Sequence, residues 1–177
     1  METTRFRGFS FVTDPGRVFT PRPTTEALVD RAIELVGDEP RRVADIGTGS
    51  GAIAVSLALG APRAEIWATD TSQPAVWLAR VNAARLGVGD RVHILHGDLL
   101  DRVPGALDLV VANLPYLPDS AADDPDIAGE PLEAVVAPGG GLEPYRRLLV
   151  AASDRLVPGG RLLIQFRRRV VELVRDA

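Results

Sequence analysis

From Arg41 onward, short apolar runs of β type alternate with stretches whose apolar residues recur at helical spacing. That alternation predicts an α/β fold: a doubly wound, mostly parallel sheet covered by helices on both faces. Strands are expected at Arg42–Ile46, Glu65–Thr69, Arg91–Leu95, Leu107–Ala112 and Arg161–Phe166. Between them, Ala52–Leu59, Gln73–Leu86 and Pro144–Leu156 read as helices, with Gly60, Gly87 and Gly159 as stop signals near their C-terminal ends. Ahead of the sheet, Thr24–Val36 reads as an amphipathic helix, preceded by Pro23 and with Thr24 or Thr25 available as a cap. No internal repeat interrupts this order.

Residues Pro118–Pro138, rich in Pro, Asp, Ala and Gly, are expected to form a long loop where the fourth strand ends. Asp119, Asp123, Asp124, Asp126 and Glu130 make it acidic. A solvated loop is the plain reading; repulsion of phosphate backbones is the sharper one.

At 177 residues and 46% hydrophobic, the chain suits one domain with its own core. Residues 1–40 are expected to cover the site and 41–177 to form the core. The net charge of −4 disfavours binding by broad phosphate neutralisation, so nucleic acid is a weaker partner than protein. All 20 basic residues are Arg, which says nothing about mechanism. The absence of cysteine removes disulfides, thiolate metal sites and thiol nucleophiles together, and no metal is assigned. No apolar leader opens the chain and no stretch reaches membrane-spanning length, so a soluble cytoplasmic protein is expected.

Val43-Ala44-Asp45-Ile46-Gly47-Thr48-Gly49-Ser50-Gly51 is a strand entering a tight glycine turn and then a helix, which lets backbone approach a ligand at the carboxyl edge of the sheet. Its spacing departs from the dinucleotide fingerprint, and Asp45 stands two places before the first glycine. So close an acid would repel a pyrophosphate, but it suits a ligand with an ammonium group, such as the methionine end of S-adenosylmethionine. Asp70 closes the second strand, where an acid accepts from ribose hydroxyls; a helix N-cap is the competing reading. Asp98 follows the third strand, placed to accept from an adenine amino group or to serve only as a turn aspartate.

Asn113-Leu114-Pro115-Tyr116 ends the fourth strand. The Asn113 side-chain carbonyl and the Leu114 backbone carbonyl are acceptors that Pro115 would pre-aim at an incoming –NH₂, and Tyr116 offers a flat face for stacking. No general base is assigned. His93 and His96 read as structural or surface residues, and Trp67 and Trp77 as core or groove packing.

Taken with Val18-Phe19-Thr20-Pro21-Arg22-Pro23, Ala68-Thr69-Asp70-Thr71-Ser72, Gly97-Asp98-Leu99, Glu130-Pro131-Leu132-Glu133-Ala134 and Gly141-Leu142-Glu143-Pro144-Tyr145-Arg146-Arg147, these motifs resemble the class I S-adenosylmethionine-dependent methyltransferases. Within that class they resemble the peptide-chain release factor glutamine methyltransferases of bacteria, over about Val18 to Phe166. The resemblance implies a Rossmann-like core in which Asp45, Gly47, Thr48, Gly49 and Gly51 hold the methionine part, Asp70 and Thr71 the ribose, and Asp98 with Leu99 the adenine. It implies that Phe19, Arg22 and Pro23 cover the cofactor, and that Asn113, Leu114, Pro115 and Tyr116 hold the substrate amide of a protein such as a release factor.

The sequence departs from the family pattern in four places. Leu114 replaces a Pro, Thr24 replaces a Glu, and no N-terminal helical recognition domain precedes the core. Leu163-Ile164-Gln165-Phe166-Arg167 replaces an acidic-glycine ending, and the chain stops before the usual antiparallel strands. The C-terminal antiparallel hairpin is therefore expected to be missing, leaving an exposed edge for a partner subunit or dimer to complete. Arg167-Arg168-Arg169 reads as an interaction patch or the solvated start of a last helix. Two rival functions stand beside glutamine methylation: methylation of an exocyclic amine of RNA, DNA or a small molecule, and an inactive cofactor-binding partner subunit.

Overall fold

The structure, a computed structural model, describes residues 1–166 and 169–176. The chain opens with an antiparallel hairpin, β1 (Glu2–Phe6) and β2 (Phe9–Thr13), which the sequence pattern did not predict. Arg7 and Gly8 both have positive φ, 48° and 81°, as a two-residue hairpin turn with the twist of its strands requires. Helix α1 (Glu26–Val36) follows a 3-10 turn at Pro23–Thr25. The Thr25 hydroxyl makes no cap bond to the helix, since its backbone is itself helical at φ −85° and ψ −12°, and it accepts from the Asn113 side-chain N–H at 3.4 Å.

Then come β3 (Arg42–Ile46), α2 (Ala52–Gly60), β4 (Glu65–Asp70), α3 (Gln73–Arg85), β5 (Val92–His96), β6 (Leu107–Ala112), α4 (Glu143–Arg155), β7 (Leu156–Phe166) and β8 (Arg169–Val174). Spatial order is β5-β4-β3-β6-β7-β8, parallel throughout except for β8. Strand side chains alternate between two apolar layers. Val43, Ile66, Ala68, Val92 and Val111 pack with α1, α2 and α3; Ala44, Ile46, Trp67, Val110 and Ile164 pack with α4. The chain winds outward from β3 to β5 and returns on the other side at β6, so the topological switch point lies between β3 and β6, where a ligand crevice forms at the strands' carboxyl ends.

Two expectations are corrected at the C-terminal edge. An antiparallel strand does follow β7: β8 pairs with it from Phe166↔Arg169 to Arg161↔Val174. Glu172 fastens β8 to α1 through Arg31 at 2.8 Å and also pairs with Arg161. Gly159 lies inside β7 with φ 76°, donating to the Arg175 carbonyl, and does not stop a helix. Of the arginine run, Arg169 begins β8, while Arg167 and Arg168 lie outside the described residues. Among the described residues no helix is long and apolar enough to cross a membrane.

Candidate active site

The glycine turn between β3 and α2 gathers its own scaffold. The N–H groups of Gly47 and Thr48 both donate to the Thr69 carbonyl, at 2.9 and 3.0 Å, tying the end of β3 to the end of β4. Gly47, Gly49 and Gly51 have φ of 71°, 55° and 80°, a left-handed region that disfavours side chains. A Cβ on Gly47 would meet Leu114 Cδ2 at 2.7 Å, and one on Gly51 would meet Ala79 Cβ at 3.0 Å; one on Gly49 would meet nothing within 4 Å. Gly51 therefore packs α2 on α3, Gly47 seats the turn on the end of β6, and Gly49 faces open space.

Asp70 binds the turn from the next strand. Its Oδ2 accepts from the Gly49 N–H at 2.8 Å and its Oδ1 from the Ser72 N–H at 2.9 Å. Ser72, not Asp70, caps α3. Burial raises the Asp70 carboxyl above the usual carboxylate range, against the pull of these N–H donors. A carboxylate has about four acceptor positions, so each Asp70 oxygen keeps capacity for a ligand hydroxyl.

These residues line a cavity of about 360 Å³ at the switch point. Of the sequence-predicted residues, Phe19, Gly47, Thr48, Gly49, Asp70, Thr71, Asp98, Leu99, Asn113, Leu114 and Pro115 line it. Leu99 has φ 45°, unusual for a side-chain-bearing residue, and its carbonyl is held by the Thr69 hydroxyl at 2.8 Å. Asp98 is ion-paired with Arg147 of α4, another wall of the cavity, so an amino group reaching Asp98 would share it with that guanidinium.

Five predicted residues stand elsewhere. Asp45 is wholly buried and does not line the cavity. Its Oδ2 accepts from the Thr48 hydroxyl at 2.6 Å and the Ala54 N–H at 3.1 Å, so it braces the turn from behind, while its Oδ1 has no hydrogen-bond partner among the described residues. Burial pushes its carboxyl up to about 7. Gly51 is shut in by Ala79, and Pro23 opens the 3-10 turn before α1. Arg22 and Tyr116 instead line a side cavity of about 50 Å³, which shares Phe19, Thr25, Asn113, Leu114 and Ala134 with the larger one.

The Leu114 carbonyl already receives the Tyr145 hydroxyl at 2.7 Å, leaving one lone pair for an incoming N–H. Tyr116 packs against Phe166 with ring centroids 5.5 Å apart. His93 pairs with Glu65 at the surface and His96 with the Thr71 carbonyl. Trp67 is buried under Arg42, but Trp77 is half exposed and fills no groove.

The long loop does more than meet solvent. Glu130 accepts from the Thr20 N–H at 3.1 Å and pairs with Arg22 at 3.7 Å, joining the Pro-Arg-Pro strap to the Glu-Pro-Leu-Glu-Ala run. Arg22 lies over the Phe19 ring at 5.3 Å. Arg17, Thr25, Ser72, Glu133 and Arg147 also line the main cavity without having been predicted to. Ser72, Glu133 and Arg147 lie within motifs already recognised, Arg17 immediately precedes one, and Thr25 was read only as a helix cap.

The family profile described as Methyltransferase small domain matches residues 11–135, and the chain belongs to that family. It is 43% identical over 158 residues to the release factor glutamine methyltransferase of Deinococcus radiodurans, covering 88% of this chain and 56% of that protein. To the enzyme of the same name from Moorella thermoacetica it is 41% identical, covering 97% of this chain and 62% of the relative. The chain thus spans about three fifths of the length of these relatives. Among solved structures it is similar to a ribosomal protein L11 methylase from Lactobacillus delbrueckii subsp. bulgaricus, with TM-score 0.61, 27% identity, and 85% and 63% of the two chains covered.

Proposed function

We propose that this chain transfers a methyl group from S-adenosylmethionine to the side-chain amide nitrogen of a glutamine in a protein, the substrate being a cytoplasmic release factor. The carrying observation is that Asn113 and Leu114 form a shared wall between the main cavity and the side cavity, so donor and acceptor would meet across one amide and one backbone carbonyl. The residues present suit the cofactor. Gly49 leaves room at the turn, Asp70 and Asp98 keep acceptor capacity for hydroxyl and amino groups, and Ile53, Leu99 and Ala75 supply apolar wall. S-adenosylmethionine would supply an electrophilic methyl carbon on a sulfonium, its sulfur leaving as a neutral thioether while the methylated nitrogen gives up one proton to water.

Everything else falls to the chain. An amide nitrogen is a poor nucleophile, so the protein's contribution is to orient it and exclude water. The Asn113 Nδ2 donates toward Thr25, which turns its Oδ1 to serve as acceptor; with the second lone pair of Leu114, two N–H groups can be met. Both oxygens favour the positive charge that develops on nitrogen as the bond forms. The strap at Val18–Pro21, held by Glu130, closes one side.

The test is calorimetric binding of S-adenosylmethionine followed by methyl transfer offered to a synthetic Gly-Gln peptide, intact release factor, ribosomal RNA and a small amine. Binding with label in the glutamine is the expected result; binding with label only in RNA or in a small amine would replace this reading.

A further inference from the structure

We propose that Asn82 is a positioning residue of the cofactor site: it latches the N-terminal hairpin to the glycine turn, so that wall and floor close together on the methionine end of S-adenosylmethionine. The inference rests on the cofactor reading of the main cavity above and deepens it. Asn82 lies on α3, outside the motifs singled out in the sequence, and is wholly buried. Its Oδ1 accepts from the Val12 N–H at 2.8 Å, and its Nδ2 donates to the Val12 carbonyl at 3.0 Å and to the Ser50 carbonyl at 2.8 Å. Both side-chain N–H groups and the oxygen are therefore engaged with main chain. The amide meets the N–H and the carbonyl of one residue of β2, as a neighbouring strand would, while its third bond reaches the glycine turn.

Both segments held in this way border the main cavity. Ser50 lines it directly, between Gly49, where a Cβ would meet nothing within 4 Å, and Gly51, which packs on Ala79 of α3. On the opposite side the cavity is lined by Phe6, the last residue of β1, and by Val18 of the strap. Phe6 stands edge-on to Phe11 of β2 with ring centroids 6.0 Å apart, and Val18 shares an apolar cluster with Val12, Ala75 and Leu78. Val12 is thus tied to Asn82 by hydrogen bonds and to Val18 by packing, and its strand carries Phe6 with it. The Asn82 amide sets the gap between the Gly49–Ser50 floor and the Phe6–Val18 wall. Asp70 and Asp98, read above as the adenosine partners, stand at or beyond the ends of β4 and β5, and their hydrogen bonds run to Gly49, Ser72 and Arg147. A ligand that fills the gap favours the latched hairpin by as much as the latch favours the ligand, because coupling between two binding events is reciprocal.

Calorimetric Kd values for S-adenosylmethionine and for methylthioadenosine, which keeps the adenosine and the sulfur but lacks the methionine chain, test this. They are measured on the intact chain and on the variants Asn82→Ala and Val12→Pro, each at a temperature where circular dichroism shows it folded. Val12→Pro removes the N–H that Asn82 accepts and leaves Asn82 and its Ser50 bond in place. The expected result in both variants is an S-adenosylmethionine Kd raised about tenfold, the scale of one lost buried hydrogen bond, with the methylthioadenosine Kd within about twofold. In the parent chain S-adenosylmethionine should also slow amide hydrogen exchange across the hairpin from Glu2 to Thr13, and in Asn82→Ala it should not. An S-adenosylmethionine Kd unchanged in both variants, or a loss shared equally by the two ligands, overturns the assignment while leaving the cofactor reading standing. A parent chain that binds neither ligand removes the cofactor reading, and this inference with it.

Discussion

The Tyr145 hydroxyl lies 2.7 Å from the Leu114 carbonyl oxygen and donates to it from inside the apolar layer under α4. The same hydroxyl is 3.0 Å from the Gln165 carbonyl, so one proton is shared between the ends of β6 and β7. Burial keeps the phenol protonated by raising its pKa. One buried side chain therefore sets the aim of the backbone that would hold the acceptor. Tyr145→Phe leaves both carbonyls without that donor and is expected to cost about 1–3 kcal/mol of stability. It should lower kcat while sparing the S-adenosylmethionine Kd. Urea unfolding together with steady-state kinetics checks both parts; unchanged kcat would detach Tyr145 from the site.

Glu130 is the link between strap and loop, with its side chain 11% exposed. Glu130→Ala removes an acceptor for the Thr20 N–H and the partner of Arg22, and should weaken S-adenosylmethionine binding about three- to tenfold, as expected for one charge-assisted hydrogen bond. Glu130→Gln keeps the acceptor and should lose less. Amide hydrogen exchange across residues 17–22 should quicken in the Ala variant; equal exchange in all three proteins would count against the clasp.

Asp45 gives the stability a pH dependence of known sign. Its carboxyl titrates at about 7 in the folded chain and at roughly 3.9 when unfolded, so between those values the folded state holds a proton that the unfolded state has released. Stability from this group is fully present below the unfolded value and is lost as pH rises to and through 7, by at most about 4 kcal/mol. Asp70, also raised, acts in the same direction. Asp45→Asn should flatten the slope of unfolding free energy between pH 5 and 7.5; an unaltered slope would show that Asp45 is ionised throughout.

Two glycines of the turn should respond differently to one methyl group. Gly51→Ala combines φ 80° with Ala79 atoms at 3.0 and 3.1 Å, and is expected to destabilise by about 1–3 kcal/mol. Gly49→Ala carries backbone strain but no clash, so its larger effect should be on S-adenosylmethionine binding, where the new methyl faces the cavity. Melting temperature and calorimetry on both variants separate the two.

Much of the fold was legible because the strands from Arg42 to Ala112 are short, apolar and punctuated by Gly and Asp, and their helices carry clear spacing. The hairpin at Glu2–Thr13 escaped notice because its buried residues, Phe6, Phe11, Val12 and Thr13, do not alternate with exposed ones, and its Arg-Gly turn lacks the Asn or Asp that usually marks one. Arg167-Arg168-Arg169 was read as an interaction patch or the start of a last helix, and no strand was expected after it, since Val-Val-Glu-Leu-Val suits either state and pairing with β7 decides. Pro158-Gly159-Gly160 looked like a break, yet the strand runs through it, the Gly159 N–H donating to the Arg175 carbonyl and the Gly160 carbonyl accepting from the Arg175 N–H. At the site, sequence spacing located the cavity wall but not the direction each side chain takes. Asp45 was placed against a ligand because nothing in the spelling shows that Thr48 and Ala54 claim its carboxylate first.

Tritiated-methyl transfer from S-adenosylmethionine, offered in parallel to release factor, ribosomal RNA and a Gly-Gln peptide, tests the central claim most directly when run with the parent chain and Asn113→Ala. The expected result is label in glutamine of the release factor and the peptide, falling by about a hundredfold or more in Asn113→Ala while S-adenosylmethionine binding is retained. Label in RNA alone, or undiminished transfer by Asn113→Ala, would contradict it.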